Sequence, residues 1–231
     1  MNKQATMITD TDSLSESVLI NADDLSLIRG QRLLFKQLSF TLKSGQAIHL
    51  SGHNGSGKTS LFKVLTGMLS PNTGKLELFG KTFADFEHQD YEKLLYLGHQ
   101  TAIKHELSVL ENLRLNSQLF DKINATDEQL YSALSAVGLA RFDEQLAGKL
   151  SAGQKRRVML ARLWLSVNES HTDKPLWLLD EPLTALDVGA IDDLQALIDK
   201  HLSFGGGVVF TSHQPFELSH PIQSVVLGGS K

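Results

Sequence analysis

A glycine-rich segment near residue 55 has the residue types and spacing needed to hold a polyphosphate. Gly52 is followed by four residues and then by Gly57, Lys58 and Thr59, which is the spacing of a P-loop. Glycines let the backbone turn its N–H groups toward an anion, a lysine reaches the β and γ phosphates, and a threonine hydroxyl ligates Mg²⁺. The nucleotide contacts predicted here are Gly52, His53, Asn54, Gly55, Ser56, Gly57, Lys58, Thr59 and Ser60.

The flanking sequence favours a P-loop over a glycine-rich surface turn. Residues 47–51, AIHLS, are mostly apolar and are typical of a buried strand. Residues 59–69 follow the loop and predict a helix, because their apolar members recur at helical spacing: Leu61, Val64, Leu65 and Met68. A strand, a glycine loop and a helix in this order are what a P-loop requires.

Two acidic residues follow the most apolar predicted strand, at residues 176–182, LWLLDEP. A P-loop needs a carboxylate to complete the Mg²⁺ shell, and Asp180 at the carboxyl end of this strand would hold the ion, through water. Glu181 comes next and is expected to orient the water that attacks the nucleotide. Two solvated acids would be the simpler interpretation of an isolated pair, but a P-loop in the same chain favours catalysis.

Two further segments predict contacts with an anion. Residues 150–154, LSAGQ, open a predicted helix, whose free N–H groups favour a phosphate. A helix N-cap alone would explain a serine at residue 151. It would not explain Gly153 and Gln154 in the same place, so these two are expected to serve another role. His213 follows the strand VVFTS at a carboxyl edge where ligands collect, which makes a γ-phosphate contact plausible although a lone histidine is usually structural.

The rest of the chain predicts the elements that position these residues. Alternating segments between residues 19 and 42 indicate antiparallel strands, and a further strand is predicted near residues 76–80. Residues 101–150 are typical of helices, and strand and helix patterns alternate from residue 175 onward. Together they predict an α/β protein with a mixed parallel sheet core, an N-terminal antiparallel β subdomain and a helical insert.

Composition excludes several other classes of site. The 231 residues include no cysteine, which removes disulfides, thiolate metal sites and catalytic thiols. No apolar run approaches the roughly 18 residues of a membrane span, so membrane association is expected through a partner. The net charge of −4 argues against direct nucleic-acid binding, and the basic run at residues 155–157 is interpreted as a solvated helix face. Residues 1–17 are expected to be a disordered lead-in without a signal peptide.

Taken together, the motifs resemble those of ABC-family ATPase subunits. In the family's order they are GHNGSGKT at 52–59, the Q-loop residue Gln100, the signature LSAGQ at 150–154, LWLLDE at 176–181, the D-loop residue Asp187 and the switch residue His213. The resemblance implies one ABC domain at residues 18–231 with a helical subdomain at about 101–165. It also implies that Gln100 contributes to catalysis and to the Mg²⁺ shell.

Dimerisation is a further implication of the resemblance. Two such cassettes sandwich two ATP molecules, so the signature would contact the γ-phosphate held by the opposite cassette. The residues expected in these contacts are Ser151, Gly153, Gln154 and Asp187.

The chain departs from the family pattern at three places. Ala152 stands where the signature usually has glycine, and activity is expected to survive this small change. Arg29 stands where an aromatic residue usually stacks on adenine, and its guanidinium plane is expected to stack there instead. Residues 166–174 form a polar segment that is longer than usual and is interpreted as a surface-loop insertion.

Within the family, the segments LARLWL at residues 160–165 and GHQ at 98–100 resemble those of the CcmA group. This group comprises the ATP-binding subunits of the haem exporter complex of bacterial cytochrome c maturation. This resemblance implies integral membrane permease subunits of the CcmB type as partners, and a peripheral position on the cytoplasmic face of the inner membrane.

Three alternatives remain open from the sequence: the ATPase of another ABC exporter, a soluble ABC ATPase acting on nucleic acid or ribosomes, and a small-molecule P-loop kinase.

Overall fold

The computed structural model describes residues 17–167, 172 and 174–228. Residues 1–16 of the expected lead-in, and residues 168–171 and 173 of the expected loop insertion, lie outside this range. The strands are β1 Val18–Arg29, β2 Arg32–Lys43, β3 Ala47–Ser51, β4 Thr73–Leu78, β5 Leu94–Leu97, β6 Leu176–Leu179, β7 Gly207–Phe210 and β8 Ile222–Val226. The helices are α1 Lys58–Leu65, α2 His88–Tyr91, α3 Val109–Phe120, α4 Asp127–Ala136, α5 Ala152–Leu165 and α6 Val188–Ser203, with short 3₁₀ turns at Phe83–Asp85 and Ala147–Lys149.

The N-terminal part forms an antiparallel sheet with the strand order β2-β1-β4. The three alternating segments predicted between residues 19 and 42 are LSLI at 25–28, LLF at 33–35 and LSFTL at 38–42. They form two long strands, because the second and third both belong to β2. A tight turn at Gly30, with a φ of 61°, joins β1 to β2. The predicted antiparallel subdomain is therefore confirmed, but its strands are fewer and longer than the alternating segments of the sequence suggested.

The second sheet is parallel and has the order β5-β6-β7-β3-β8. All residues of β6 and β7 are buried, as expected for strands covered on both faces. Because the strands are parallel, their carboxyl ends meet at one edge, and the P-loop, Asp180 and Thr211 follow β3, β6 and β7 there. The predicted α/β core is confirmed.

Helix α1 packs into the core cluster that the two sheets share. Its residues Leu61, Phe62, Val64 and Leu65 are fully buried. Met68 was expected on the same face, but this is wrong: the helix ends at Leu65 and Met68 is 66% exposed. A turn follows directly, with Gly67 at a φ of 73°, so the helical spacing no longer applies at residue 68.

Helices α3, α4 and α5 pack together as a separate layer with its own apolar cluster. Both α3 and α4 begin with a capping box, at Ser108 and Thr126. A buried ion pair joins the end of α3 to α5, with Arg162 Nε and Nη2 donating to Asp121 at 2.6 and 2.5 Å. The other face of α5 contacts the parallel sheet through Met159, so α5 connects the helical layer to the strand edge that carries Asp180.

Candidate nucleotide site

The P-loop glycines occupy backbone positions that other residues cannot fill. Gly52 has a φ of 142°, and a Cβ atom there would lie 2.5 Å from the carbonyl oxygen of Leu227. Gly57 has a φ of 105° at the start of α1, and its Cβ would lie 3.1 Å from the Cβ of Leu34. The glycine spacing seen in the sequence thus matches a local requirement for left-handed backbone and close approach.

An open cleft of about 770 Å³ lies above this loop. Lys58 stays close to the loop itself, with Nζ donating to the carbonyl oxygen of Gly52 at 2.7 Å and to that of His53 at 3.4 Å. Residues expected at the nucleotide that do line the cleft are Arg29, Asn54, Gly55, Gly57, Lys58, Thr59, Ser60, Asp180, Glu181 and His213. The cleft therefore brings together both ends of the predicted site.

Asp180 is buried and its carboxylate accepts hydrogen bonds from two hydroxyls. Thr59 Oγ1 donates to Oδ2 at 3.0 Å, and Thr211 Oγ1 donates to Oδ1 at 3.0 Å. Within the described ranges, no lysine or arginine forms a salt bridge with this carboxylate. A buried carboxylate that forms no salt bridge with these residues, beside a threonine hydroxyl, has the oxygen donors that Mg²⁺ prefers.

Glu181 is held in a sparsely populated backbone conformation. Its φ is 53°, which costs of order 1–3 kcal/mol for a residue other than glycine. Its N–H donates to Thr211 Oγ1 at 2.8 Å, and its Oε1 lies 3.3 Å from His213 Nε2. The local strain therefore coincides with the pairing of the two side chains that the sequence predicted as catalytic.

Arg156 was interpreted as part of a solvated helix face, and this is wrong. Its side chain is buried, with Nη1 donating to the carbonyl oxygen of Gly98 at 2.8 Å and Nη2 to those of Asp180 and Glu181 at 2.8 and 2.9 Å. Burial lowers the pKa of Arg156, while the nearby Asp180 and Glu181 carboxylates oppose the shift. Arg156 thus joins the ends of β5 and β6 and supports the strained turn at Glu181.

The signature residues lie away from the cleft. Ser151 and Gln154 form a capping box at α5, with Ser151 Oγ accepting at 3.2 Å and Gln154 Oε1 accepting at 2.9 Å. A Cβ on Gly153 would lie 2.7 Å from the carbonyl oxygen of Ala185. The sequence-based expectation that capping and packing would not account for Gly153 and Gln154 is therefore wrong. Gln154 belongs to the capping box, and close packing against Ala185 requires a glycine at residue 153. Ala152 is exposed.

The D-loop residue Asp187 begins α6 and does not line the cleft. Its Oδ1 accepts from the N–H of Ala190 at 3.0 Å, and its Oδ2 pairs with Arg157 of α5. Together with the capping hydrogen bond, the Arg157 guanidinium lowers the pKa of Asp187. In one copy of the chain, Asp187 thus joins the start of α6 to the signature helix.

Gln100 lines a second cavity, a groove of about 650 Å³ between the parallel sheet and the helical layer. Thr59 and His99 line both this groove and the nucleotide cleft. Gln100 therefore lies next to the nucleotide cleft, since the adjacent His99 lines both cavities. Gln100 itself does not line the cleft.

Sequence reasoning missed several residues at the site. Arg32, Leu34, His99 and Thr184 also line the cleft, and Thr211 bonds both Asp180 and Glu181. Thr211 adjoins the predicted site residue His213 after the same strand, which could have indicated it. His99 directly precedes the predicted residue Gln100, and Thr184 lies three residues after Glu181, so the same segments could have indicated both. Arg32 and Leu34 belong to β2 and depend on how two sheets approach each other, which no spacing in the chain reveals.

No group of three or more histidines, cysteines, aspartates or glutamates among the described residues is arranged to hold a metal ion. Across the same ranges, every helix is too short or too polar to cross a bilayer.

The fold and the P-loop site define an ABC-type ATPase. The ABC transporter family model matches residues 35–184, and the chain belongs to this family of ATP-hydrolysing, ATP-binding subunits. An ATP-binding subunit of an ABC transporter superposes with a TM-score of 0.71 at 25% identity, over 84% of this chain and 79% of that chain. An ATP-binding cassette solved as a dimer with ADP and Pi has the same fold, with a TM-score of 0.70 at 22% identity, over 85% and 88% of the two chains.

Within this family, curated relatives share the name "cytochrome c biogenesis ATP-binding export protein CcmA". The chain is 42% identical to that of Idiomarina loihiensis over 89% of this chain and 90% of the relative. It is 40% identical to that of Vibrio cholerae and 39% identical to that of Photobacterium profundum, over 92% and 91% of this chain and 100% of each relative. The predicted likeness to CcmA is confirmed.

Proposed function

We propose that this chain is the ATP-hydrolysing subunit of a bacterial ABC export complex and drives the haem-handling step of cytochrome c biogenesis. The observation that best supports an ATPase site is a hydrogen-bonded cluster at the end of the P-loop. Its members are Thr59, Asp180, Thr211 and Glu181. The haem assignment is supported by similarity to CcmA proteins over nearly the full length of both chains.

Thr59 and Asp180 would hold Mg²⁺, with Gln100 approaching from the neighbouring groove. The hydroxyl and a carboxylate oxygen are hydrogen-bonded at 3.0 Å, which is close enough for one ion to reach both. When bound, the ion neutralises charge that develops on the β and γ phosphates. Thr211 keeps the carboxylate oriented through its second oxygen.

Glu181 would orient the attacking water, and His213 would contact the γ-phosphate. The pairing of Glu181 Oε1 with His213 Nε2 places both groups at the same end of the cleft. The buried guanidinium of Arg156 holds the backbone of Glu181 in place through its hydrogen bond to the Glu181 carbonyl oxygen. Strands β1 and β2 and the turn at Gly30 form a hairpin that borders one end of the cleft. At this hairpin end, Arg29 would stack its guanidinium on the adenine ring.

A homodimer would complete each site. Ser151, Gly153, Gln154 and Asp187 do not line the cleft of their own chain, although the free N–H groups at the start of α5 favour an anion. Ser151 is exposed at this helix start. In an ATP-bound pair of cassettes, these residues would contact the γ-phosphate of the opposite copy.

Membrane subunits of the CcmB type would dock near Gln100. The groove beside it is lined in part by exposed apolar side chains, with Met68, Tyr91 and Phe120 at 66%, 47% and 58% exposure. Apolar surface of this kind, rimmed by polar residues, is typical of an interaction site. Docking there would hold the subunit peripherally on the cytoplasmic face of the inner membrane and couple the motions of the Q-loop to the permease.

Purification from native membranes tests the assignment. Mild detergent extracts of the wild-type strain are analysed by mass spectrometry, and cytochrome c content is compared with that of a Lys58→Ala strain and a Lys36→Ala control on the exposed part of β2. CcmB-like subunits, with c-type cytochromes lost only in Lys58→Ala, are the expected result. A different permease with normal cytochromes would contradict the haem assignment, and ribosomes or nucleic acid as the co-purifying material would contradict membrane export.

A further inference from the structure

Arg32, the first residue of β2, lies over the P-loop. Its Nη1 and Nη2 atoms are 3.5 and 3.7 Å from the position that a Cβ on Gly55 would occupy, and Arg32 lines the nucleotide cleft. Gly55 has a φ of 78°, so this loop position already favours glycine. Throughout the part of the chain that the structure describes, Arg32 forms no ion pair or side-chain hydrogen bond.

A second arginine stands directly opposite. Arg29 is the cross-strand partner of Arg32 in the β1–β2 ladder, and opposite residues on antiparallel strands project from the same face with Cβ atoms about 5 Å apart. Like charges in this arrangement are destabilising. Both residues are exposed and line the cleft, so an anion in the cleft would relieve their repulsion.

The carboxylates of the cleft do not provide that anion. Asp180 is engaged by Thr59 and Thr211, and Glu181 lies beside His213. The hairpin end of the cleft thus presents two positive charges above a phosphate-binding loop, without an acidic partner in the described residues.

We propose that Arg32 is a phosphate-binding residue that contacts the α-phosphate of the nucleotide from the hairpin side. This inference rests on the proposed use of the cleft for ATP. With the γ-phosphate at Glu181 and the base at Arg29, the α-phosphate is the phosphate nearest the hairpin. A guanidinium suits this contact because its paired N–H groups match two phosphate oxygens. The P-loop and Arg32 would then bind the phosphate chain from two sides.

Equilibrium dialysis with radiolabelled ATP and ADP, on the purified full-length chain, tests the proposal. Arg32→Ala is expected to raise the Kd for both nucleotides by roughly 10- to 100-fold, the loss of a hydrogen bond to a charged group. Arg32→Lys should recover part of the affinity, and Lys36→Ala, which removes a charge from the same strand, should bind like the wild type. At saturating ATP, kcat should change less than about twofold, because binding rather than chemistry is affected.

Three results would overturn the inference: unchanged Kd values in Arg32→Ala, a fall in kcat without a change in Kd, or weakened binding of ATP but not of ADP. The last would move the contact to the γ-phosphate. A parallel Lys58→Ala sample separates this from the proposed function. If Lys58→Ala loses nucleotide while Arg32→Ala does not, only the role of Arg32 fails; if Lys58→Ala binds normally, the nucleotide site itself fails.

Discussion

Replacement of Arg156 by leucine should strongly destabilise the fold. The guanidinium makes three hydrogen bonds of 2.8–2.9 Å to the carbonyl oxygens of Gly98, Asp180 and Glu181. At about 1.5 kcal/mol for each bond made by a charged donor, the three contribute about 4–5 kcal/mol. The variant no longer has to bury a guanidinium, so we expect the free energy of unfolding to fall by about 3 kcal/mol.

Lys155→Leu is the matched control, because it changes the neighbouring basic residue of the same helix. Lys155 is half-buried and forms no ion pair or side-chain hydrogen bond in the described ranges. Urea unfolding followed by circular dichroism gives both free energies, and a domain with a stability of about 5–15 kcal/mol remains folded in both variants. ATPase rates at saturating ATP should fall in Arg156→Leu alone, because the backbone of Glu181 loses its support. Equal stability losses within about 0.5 kcal/mol would refute the reasoning.

Four other variants have defined outcomes. Glu181→Gln should bind ATP and accumulate as a dimer on gel filtration while hydrolysis falls by about 10²–10⁴-fold, because closure needs the phosphates but turnover needs the positioned water. Gly153→Ala should lower stability by about 1–3 kcal/mol, since its Cβ would lie 2.7 Å from the Ala185 carbonyl oxygen. Gly189→Ala, at the equivalent second position of α6, meets nothing closer than 3.8 Å and should be neutral or slightly stabilising. Burial lowers the pKa of His201 from its ordinary value of 6.5 to about 3. Its stabilising contribution is therefore complete above pH 6.5 and is lost as the pH falls toward 3, by about 2 kcal/mol at pH 5. His201→Phe should flatten the acid side of the stability profile.

Each of these predictions has a contrary result. Hydrolysis at the original rate in Glu181→Gln would remove the role given to that carboxylate. Equal effects of alanine at residues 153 and 189 would mean that α5 can move away from the D-loop at little cost. An unchanged acid slope in His201→Phe would show that other groups, rather than this buried ring stacked 3.8 Å from Trp177, control unfolding at low pH.

The sequence alone determined the fold class and the motif segments, because the physical requirements there are local. The glycines of the P-loop need left-handed backbone at fixed positions, and the buried strand before Asp180 reads as a continuous apolar run. Residues 101–150 were likewise typical of helices before any tertiary contact was known, because helical spacing and helix stop signals are local. The capping boxes at Ser108 and Thr126, which the structure shows, also lie within four residues of sequence.

Only the tertiary structure decided which of three adjacent basic residues is buried. Nothing local distinguishes Arg156 from Lys155, since the difference arises where α5 crosses the ends of β5 and β6, 58 and 24 residues away in sequence. The same holds for Gly153, whose neighbour is the carbonyl oxygen of Ala185. Arg32 was also hidden, because β2 reaches the P-loop only when the antiparallel sheet packs over α1. These contacts depend on long-range packing, which the local pattern of a single chain does not record.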